Sequence, residues 1–119
     1  MKITDKFSVD IGALHYRNCH FTVGMYGNGN LALGIGNDED DALFDCTMNV
    51  ASHVNGEWEI CVKDYSENEG MADFLKRIGI IGEKPSLVMS NGCVSAPFYA
   101  LTESGKELFK EMKGKELCK

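Results

Sequence analysis

Apolar and polar residues alternate over successive stretches of the first half of the chain, and the alternation gives way to a helical period near the middle. Residues 13–26 and 30–36 read as the strands of a hairpin around Gly27-Asn28-Gly29-Asn30. Parity fixes the register. A two-residue Asn28-Gly29 turn sets Met25 and Val23 opposite Ala32 and Gly34, leaving Leu31, Leu33 and Ile35 on the other face. A three-residue loop, Gly27 to Gly29, sets Met25 by Leu31, Val23 by Leu33 and Phe21 by Ile35. The second register builds one apolar face and puts Gly29 at the left-handed position that such loops demand, so it is the expected one. Next, Phe44, Cys46, Met48 and Val50 alternate with Asp45, Thr47 and Asn49. After a turn over Ser52–Glu57, Trp58, Ile60 and Val62 alternate with Glu59, Cys61 and Lys63. Four strands joined in succession by short loops predict a meander with one solvated face.

The helical period follows Asp64-Tyr65-Ser66-Glu67-Asn68-Glu69-Gly70. Ser66 and Glu69 have the spacing of a capping box, in which each side chain accepts the other's backbone N–H. Met71, Phe74, Leu75 and Ile78 then form one buried stripe, and Gly79 supplies a left-handed stop with Ile80 beside it. This helix is expected to cover the sheet. Pro85 opens a second hairpin, Ser86 to Ser90 and Cys93 to Leu101 around Asn91-Gly92, in which Pro97 points to an edge strand or a bulge. Thr102 caps a final helix with Leu108, Phe109 and Met112 inward and Glu/Lys pairs outward. The expected class is α+β: an antiparallel meander covered by one helix, a second hairpin and a C-terminal helix.

At 119 residues the chain is read as one domain, 1–119, and its 44% hydrophobic and 25% charged content is ordinary for a globular protein. No run approaches the roughly eighteen apolar residues of a membrane helix. The start, Met1-Lys2-Ile3-Thr4-Asp5-Lys6, lacks the apolar core of a secretory signal, so the expected location is the cytoplasm. The five cysteines, Cys19, Cys46, Cys61, Cys93 and Cys118, are odd in number and form no Cys-x-x-Cys, which favours reduced thiols over zinc or dithiol chemistry. Alternation puts Cys19 and Cys46 on apolar faces.

The net charge of −6 comes largely from Asp38, Glu39, Asp40, Asp41 and Asp45, with no basic residue among them. Such a segment opposes nonspecific nucleic-acid binding, which draws its affinity from Lys and Arg, and suits a basic protein surface, a divalent cation or plain solvation. It lacks the spacing of a calcium loop. His15 and Cys19 share a strand face while His20 points the other way, so three metal ligands from this segment would need a bulge. The glycine-rich pieces around Gly24–Gly29 and Gly34–Gly36 precede no helix and are not phosphate cradles. No metal, cofactor or catalytic residue is expected. Phe98 to Leu108 resembles the wing strand and closing helix of winged-helix DNA-binding proteins, which supplies an alternative reading as a small nucleic-acid-binding regulator.

A wider resemblance covers most of residues 1–102. It is carried by Tyr26-Gly27-Asn28-Gly29 with Leu31-Ala32-Leu33, by Val62-Lys63-Asp64-Tyr65-Ser66-Glu67-Asn68-Glu69-Gly70, and by Gly92-x-Val94-x-Ala96-Pro97. On these residues the chain resembles a family of small proteins carried by bacterial phages, plasmids and conjugative elements. In that family Trp is usual where Tyr65 stands, and the helix after Thr102 is often absent. In size and character the chain is also similar to phage inhibitors of the defence-associated sirtuin, an NAD-depleting enzyme. The resemblance implies a non-enzymatic anti-defence protein that binds and stoichiometrically inhibits a bacterial immunity protein. The residues singled out for partner binding are Asp38, Glu39, Asp40, Asp41, Asp45, Tyr65 and Glu67.

Overall fold

The computed structural model describes residues 6–11, 14–40, 42–50, 53–65, 68–91 and 94–117. The fold is α+β, as the patterning predicts. Strands β1 (Phe7–Ile11), β2 (Leu14–Met25), β3 (Leu31–Gly36) and β4 (Phe44–Asp45) form one antiparallel sheet in that order. Strand β5 (Glu59–Cys61), helix α1 (Met71–Ile78), strands β6 (Leu87–Asn91) and β7 (Val94–Ala100), and helix α2 (Glu103–Leu117) follow, with a second sheet ordered β5-β7-β6. Among the described residues no helix is long and apolar enough to cross a membrane.

The hairpin register is the expected one: Met25 pairs with Leu31, Val23 with Leu33 and Phe21 with Ile35. Tyr26 N–H donates to Asn30 O at 2.8 Å and Gly29 N–H to Tyr26 O at 2.9 Å, closing a three-residue loop in which Gly29 has φ 89°. Phe21, Leu31, Leu33 and Ile35 are buried. Met25 is not, because the hairpin tip runs past the core.

The meander begins one strand earlier than expected. Strand β1, unread in the sequence, pairs with β2, and the residues expected as the fourth strand become β5 of the second sheet. A hydrogen-bonded seam still links the two. Cys46 N–H donates to Leu33 O at 2.9 Å, while Met48 N–H reaches Cys61 O at 3.0 Å and Lys63 N–H reaches Cys46 O at 2.9 Å. The strand expected through Val50 is ladder-paired to β3 only at Phe44–Asp45. Its alternation fails at Thr47, which is buried because its Oγ1 accepts the Leu33 N–H at 3.1 Å and hydrogen-bonds the Tyr26 hydroxyl at 3.0 Å.

Cys61 corrects the expectation of an outward face on β5. Ile60 and Val62 enter the main core, whereas Cys61 enters a second one with Val50, Ala96 and Phe98. Both faces of this stretch are therefore buried, which a period-two pattern with one solvated face does not anticipate.

Strand β2 carries a bulge. Phe7 pairs with Cys19 but Val9 with Tyr16, so β2 holds one extra residue there, and Asn18 has φ 56°. The inward parity therefore switches from Leu14 and Tyr16 to Cys19 and Phe21. His15 and Cys19 do not share a face after all: His15 is exposed and Cys19 is buried.

Helix α1 buries Met71, Phe74 and Leu75, with Ile78 packed at the core margin. Gly79 ends it at φ 87°; the N–H groups of Gly79 and Ile80 donate to the Lys76 and Leu75 carbonyls, the double closure expected of a glycine stop. The Phe74 ring stands 6.0 Å from that of Phe7, which seats α1 on β1.

The start of α1 differs from the expectation. Ser66 of the proposed capping box lies outside the described residues, but the N-cap is Gly70, left-handed at φ 102°. The buried side chain of Asn68 donates to Asp45 O at 2.6 Å, tying the connection to β4, so the helix begins only after Gly70 redirects the chain. Asp64 Oδ1 accepts the N–H groups of Gly70 at 3.0 Å and Ala72 at 3.1 Å. Asp64→Ala is accordingly expected to lower stability by roughly 0.5–2 kcal/mol, as loss of a helix cap does. The check is the urea midpoint, and an unmoved midpoint would assign these donors to other acceptors.

The second hairpin pairs Asn91 with Val94, so Asn91 belongs to the strand and not to the expected Asn91-Gly92 turn, whose Gly92 lies outside the described residues. Pro97 sits in the central strand of its sheet, not on an edge. Its carbonyl accepts the Val62 N–H just past the end of β5, and the missing proline donor faces that same side. A ladder bond is lost only where β5 has already ended.

Helix α2 is capped as predicted: Thr102 Oγ1 accepts the Gly105 N–H at 3.1 Å, and the Thr102 hydroxyl donates back to the carbonyls of Gly79 and Ile80. Leu108 and Phe109 are buried in the main core. The Met112 side chain lies outside those described.

Candidate functional site

The acidic segment folds as a turn that satisfies itself. Asn37 Oδ1 accepts the N–H groups of Glu39 at 3.0 Å and Asp40 at 2.8 Å, and Asp40 Oδ1 accepts the Ala42 N–H at 2.9 Å. Lys6, distant in sequence, donates from Nζ to both Asp38 oxygens at 2.8 and 2.9 Å. That hydrogen-bonded ammonium holds the Asp38 carboxyl below its ordinary value. Asp38 and Glu39 also line a shallow cleft with His15 and Arg17, whose side chains the bulge turns outward. The acidic run is thus interleaved with cations in space although not in sequence.

The other predicted site residues are dispersed. Asp45 is exposed on β4 and lines a different depression, with Thr22, Tyr26 and Gly34. Tyr65 is half-buried with Lys63 Nζ 5.7 Å from its ring centroid. Asp41 and Glu67 lie outside the described residues.

The titratable groups of β1 and β2 form one contact: His15 Nδ1 stands 2.6 Å from Asp10 Oδ1 on the outer face. Among the described residues no three His, Cys, Asp or Glu side chains gather where they could hold a metal ion. Cys19, Cys46 and Cys61 are free and buried. Burial raises all three thiols, most strongly Cys46, and pushes Cys61 up to about 11. They stay protonated at neutral pH and act as small apolar side chains, not nucleophiles.

A different region has the anatomy of a recognition site. Between the tip of the β2–β3 hairpin and the segment 54–58 lies a cleft of about 510 Å³. Met25 on one wall is 53% exposed and Val54 on the other is 73% exposed. Trp58, half-buried at the margin of the main core, forms part of the lining, with Lys110 Nζ 5.5 Å from its ring centroid.

The walls are fastened by amides. Asn30, only 4% exposed, donates from Nδ2 to Asn49 Oδ1 and to His53 O, each at 2.9 Å, and its Oδ1 accepts the Asn55 N–H at 2.8 Å. Glu59 closes the far end, its Oε1 accepting the Gly56 N–H at 3.1 Å. Two turns far apart in the sequence are therefore one braced unit.

Sequence reasoning placed Met25 on the core face and Val54 in a turn, and missed the cleft. The available signal was a lone valine among polar residues, in Ser52-His53-Val54-Asn55-Gly56-Glu57. Comparisons of the chain with protein-family models, with characterised proteins and with solved structures return no match.

Proposed function

We propose that this protein acts by occupying the surface of a partner protein through the cleft between the hairpin tip and segment 54–58. The observation that carries the reading is the pair Met25 and Val54, large apolar side chains held out to solvent on opposite walls with Trp58 between the sheet and the rim. Interfaces concentrate their energy in such apolar and aromatic anchors, ringed by polar groups that exclude water. Here the ring is supplied by Asn28, Asn55 and Glu57. Glu39 and Asp40, exposed on the acidic turn, add the charge that steers a basic surface toward the protein.

The sequence resemblance supplies the setting: a phage or mobile-element protein in the host cytoplasm whose partner is a bacterial defence protein, with the NAD-depleting defence-associated sirtuin as the partner to test first. Inhibition of that enzyme is expected to saturate at a fixed molar ratio. Met25→Asp with Val54→Asp, both at exposed positions, is expected to weaken inhibition by roughly thirtyfold or more, the scale of losing one strong hot spot of about 2 kcal/mol. Inhibition that grows with time at substoichiometric protein would show turnover and overturn the reading. Tight, salt-dependent binding to duplex DNA, unaffected by the double variant, would favour the winged-helix alternative.

A further inference from the structure

Two of the chain's three Asn-Gly pairs, Asn28-Gly29 and Asn55-Gly56, stand on facing walls of the cleft. The third, Asn91-Gly92, runs outside the described residues. We propose that Asn28 is a self-modification site, converting without an enzyme to aspartate and isoaspartate, and that the fold holds Asn55 in its amide form despite the identical sequence.

The chemistry is intramolecular and its only co-reactant is water. The backbone nitrogen of the glycine attacks Cγ of the preceding asparagine and gives its proton to a solvent base. The bond from Cγ to the side-chain nitrogen breaks, and ammonia leaves with a proton returned from solvent. The cyclic imide that remains is opened by water at either carbonyl, which gives aspartate or isoaspartate. Glycine favours ring closure because it has no side chain to obstruct the approach.

Both glycine nitrogens are hydrogen-bonded in the folded protein, so each site must open before it reacts, and the difference lies in what opening breaks. At Asn28 the loop residues Gly27, Asn28 and Gly29 are all exposed, and no atom lies within 4 Å of where a Cβ would stand on Gly27 or Gly29. Opening there releases the Gly29 N–H from Tyr26 O and a long 3.3 Å contact between Asn28 Oδ1 and the Asn30 N–H. No core residue moves. At Asn55 the backbone N–H is bound by the buried Asn30 side chain, and the Gly56 N–H is bound by the Glu59 carboxylate. The Asn55 Nδ2 also contacts Glu59 O at 3.4 Å. Freeing this pair dismantles the bracing of the cleft. Local opening of an exposed loop requires far less free energy than breaking a buried network.

The consequence for binding rests on the function proposed above: a new carboxylate at position 28 would change the rim that meets the partner. The modification itself stands without any partner, so its test separates the two. The purified protein is aged at 37 °C and mildly alkaline pH, digested, and mapped by mass spectrometry with isoaspartate labelling, beside a sample aged in denaturant. In the folded protein Asn28 is expected to convert about tenfold or more faster than Asn55, and in denaturant the two should convert at similar rates. Glu59→Gln should narrow the folded-state gap by loosening Gly56. Equal folded-state rates, or an Asn28 that survives folded while it converts in denaturant, would overturn the proposal.

Discussion

Gly105→Ala is expected to lower stability by about 1–3 kcal/mol, although the same change inside an exposed helix would raise it by nearly 1 kcal/mol. Gly105 is buried in the first turn of α2, where the helix lies against the backbone joining α1 to β6. A Cβ there would run into the Ile80 carbonyl oxygen and press on Leu101. The oxygen cannot move freely, because the same carbonyl accepts the Thr102 N–H at 3.0 Å and the Thr102 hydroxyl at 3.2 Å. Relief would shift α2 and with it Leu108 and Phe109, both in the main core. The sign of the change in a guanidinium melt is the decisive reading. A gain in stability would show that the helix does not approach so closely.

The second large effect is expected at Asn30. Asn30→Ala removes two donors and an acceptor at once, leaving Asn49 Oδ1, His53 O and the Asn55 N–H without their partners. An orphaned buried polar group costs about 1–3 kcal/mol, and these groups are partly reachable by water, so a total near 3 kcal/mol is expected. Asn30→Asp should do no better, since it keeps the acceptor but loses both donors and brings a charge to a side chain that is only 4% exposed. Equilibrium unfolding of both variants checks this. Losses below about 0.5 kcal/mol, the level of ordinary surface changes, would mean that water replaces the amide without penalty.

The sequence was most legible where one local rule acted alone. The β2–β3 register followed from parity and a glycine, the stop of α1 from Gly79, and the start of α2 from Thr102, because each depends on a few consecutive residues. Reading failed where a distant partner decided. Thr47 is buried by Tyr26 and Leu33, and Cys61 by a second core that only the β7 strand completes. Asp64 caps a helix that starts six residues later than its own position would suggest, by reaching across a connection pinned to β4. The candidate site was harder still. Charge density drew attention to Asp38–Asp41, whereas Lys6 comes from the far side of the sheet to neutralise part of it. The cleft needed two turns, about twenty-five residues apart, to be fastened by one asparagine, and no local pattern encodes that pairing.

The bulge at Asn18 bears on how this strand can change over generations. On its outer side, His15 and Arg17 are exposed, so a lineage can redraw that surface freely. The count of residues between Tyr16 and Cys19 has its own latitude. Deleting one would remove the bulge and leave Tyr16 and Cys19 two positions apart, so regular pairing with β1 would keep Leu14, Tyr16, Cys19 and Phe21 all on the core side. The extra residue therefore belongs to the outer surface that Arg17 and Asn18 form, and selection can take it away without turning the strand over.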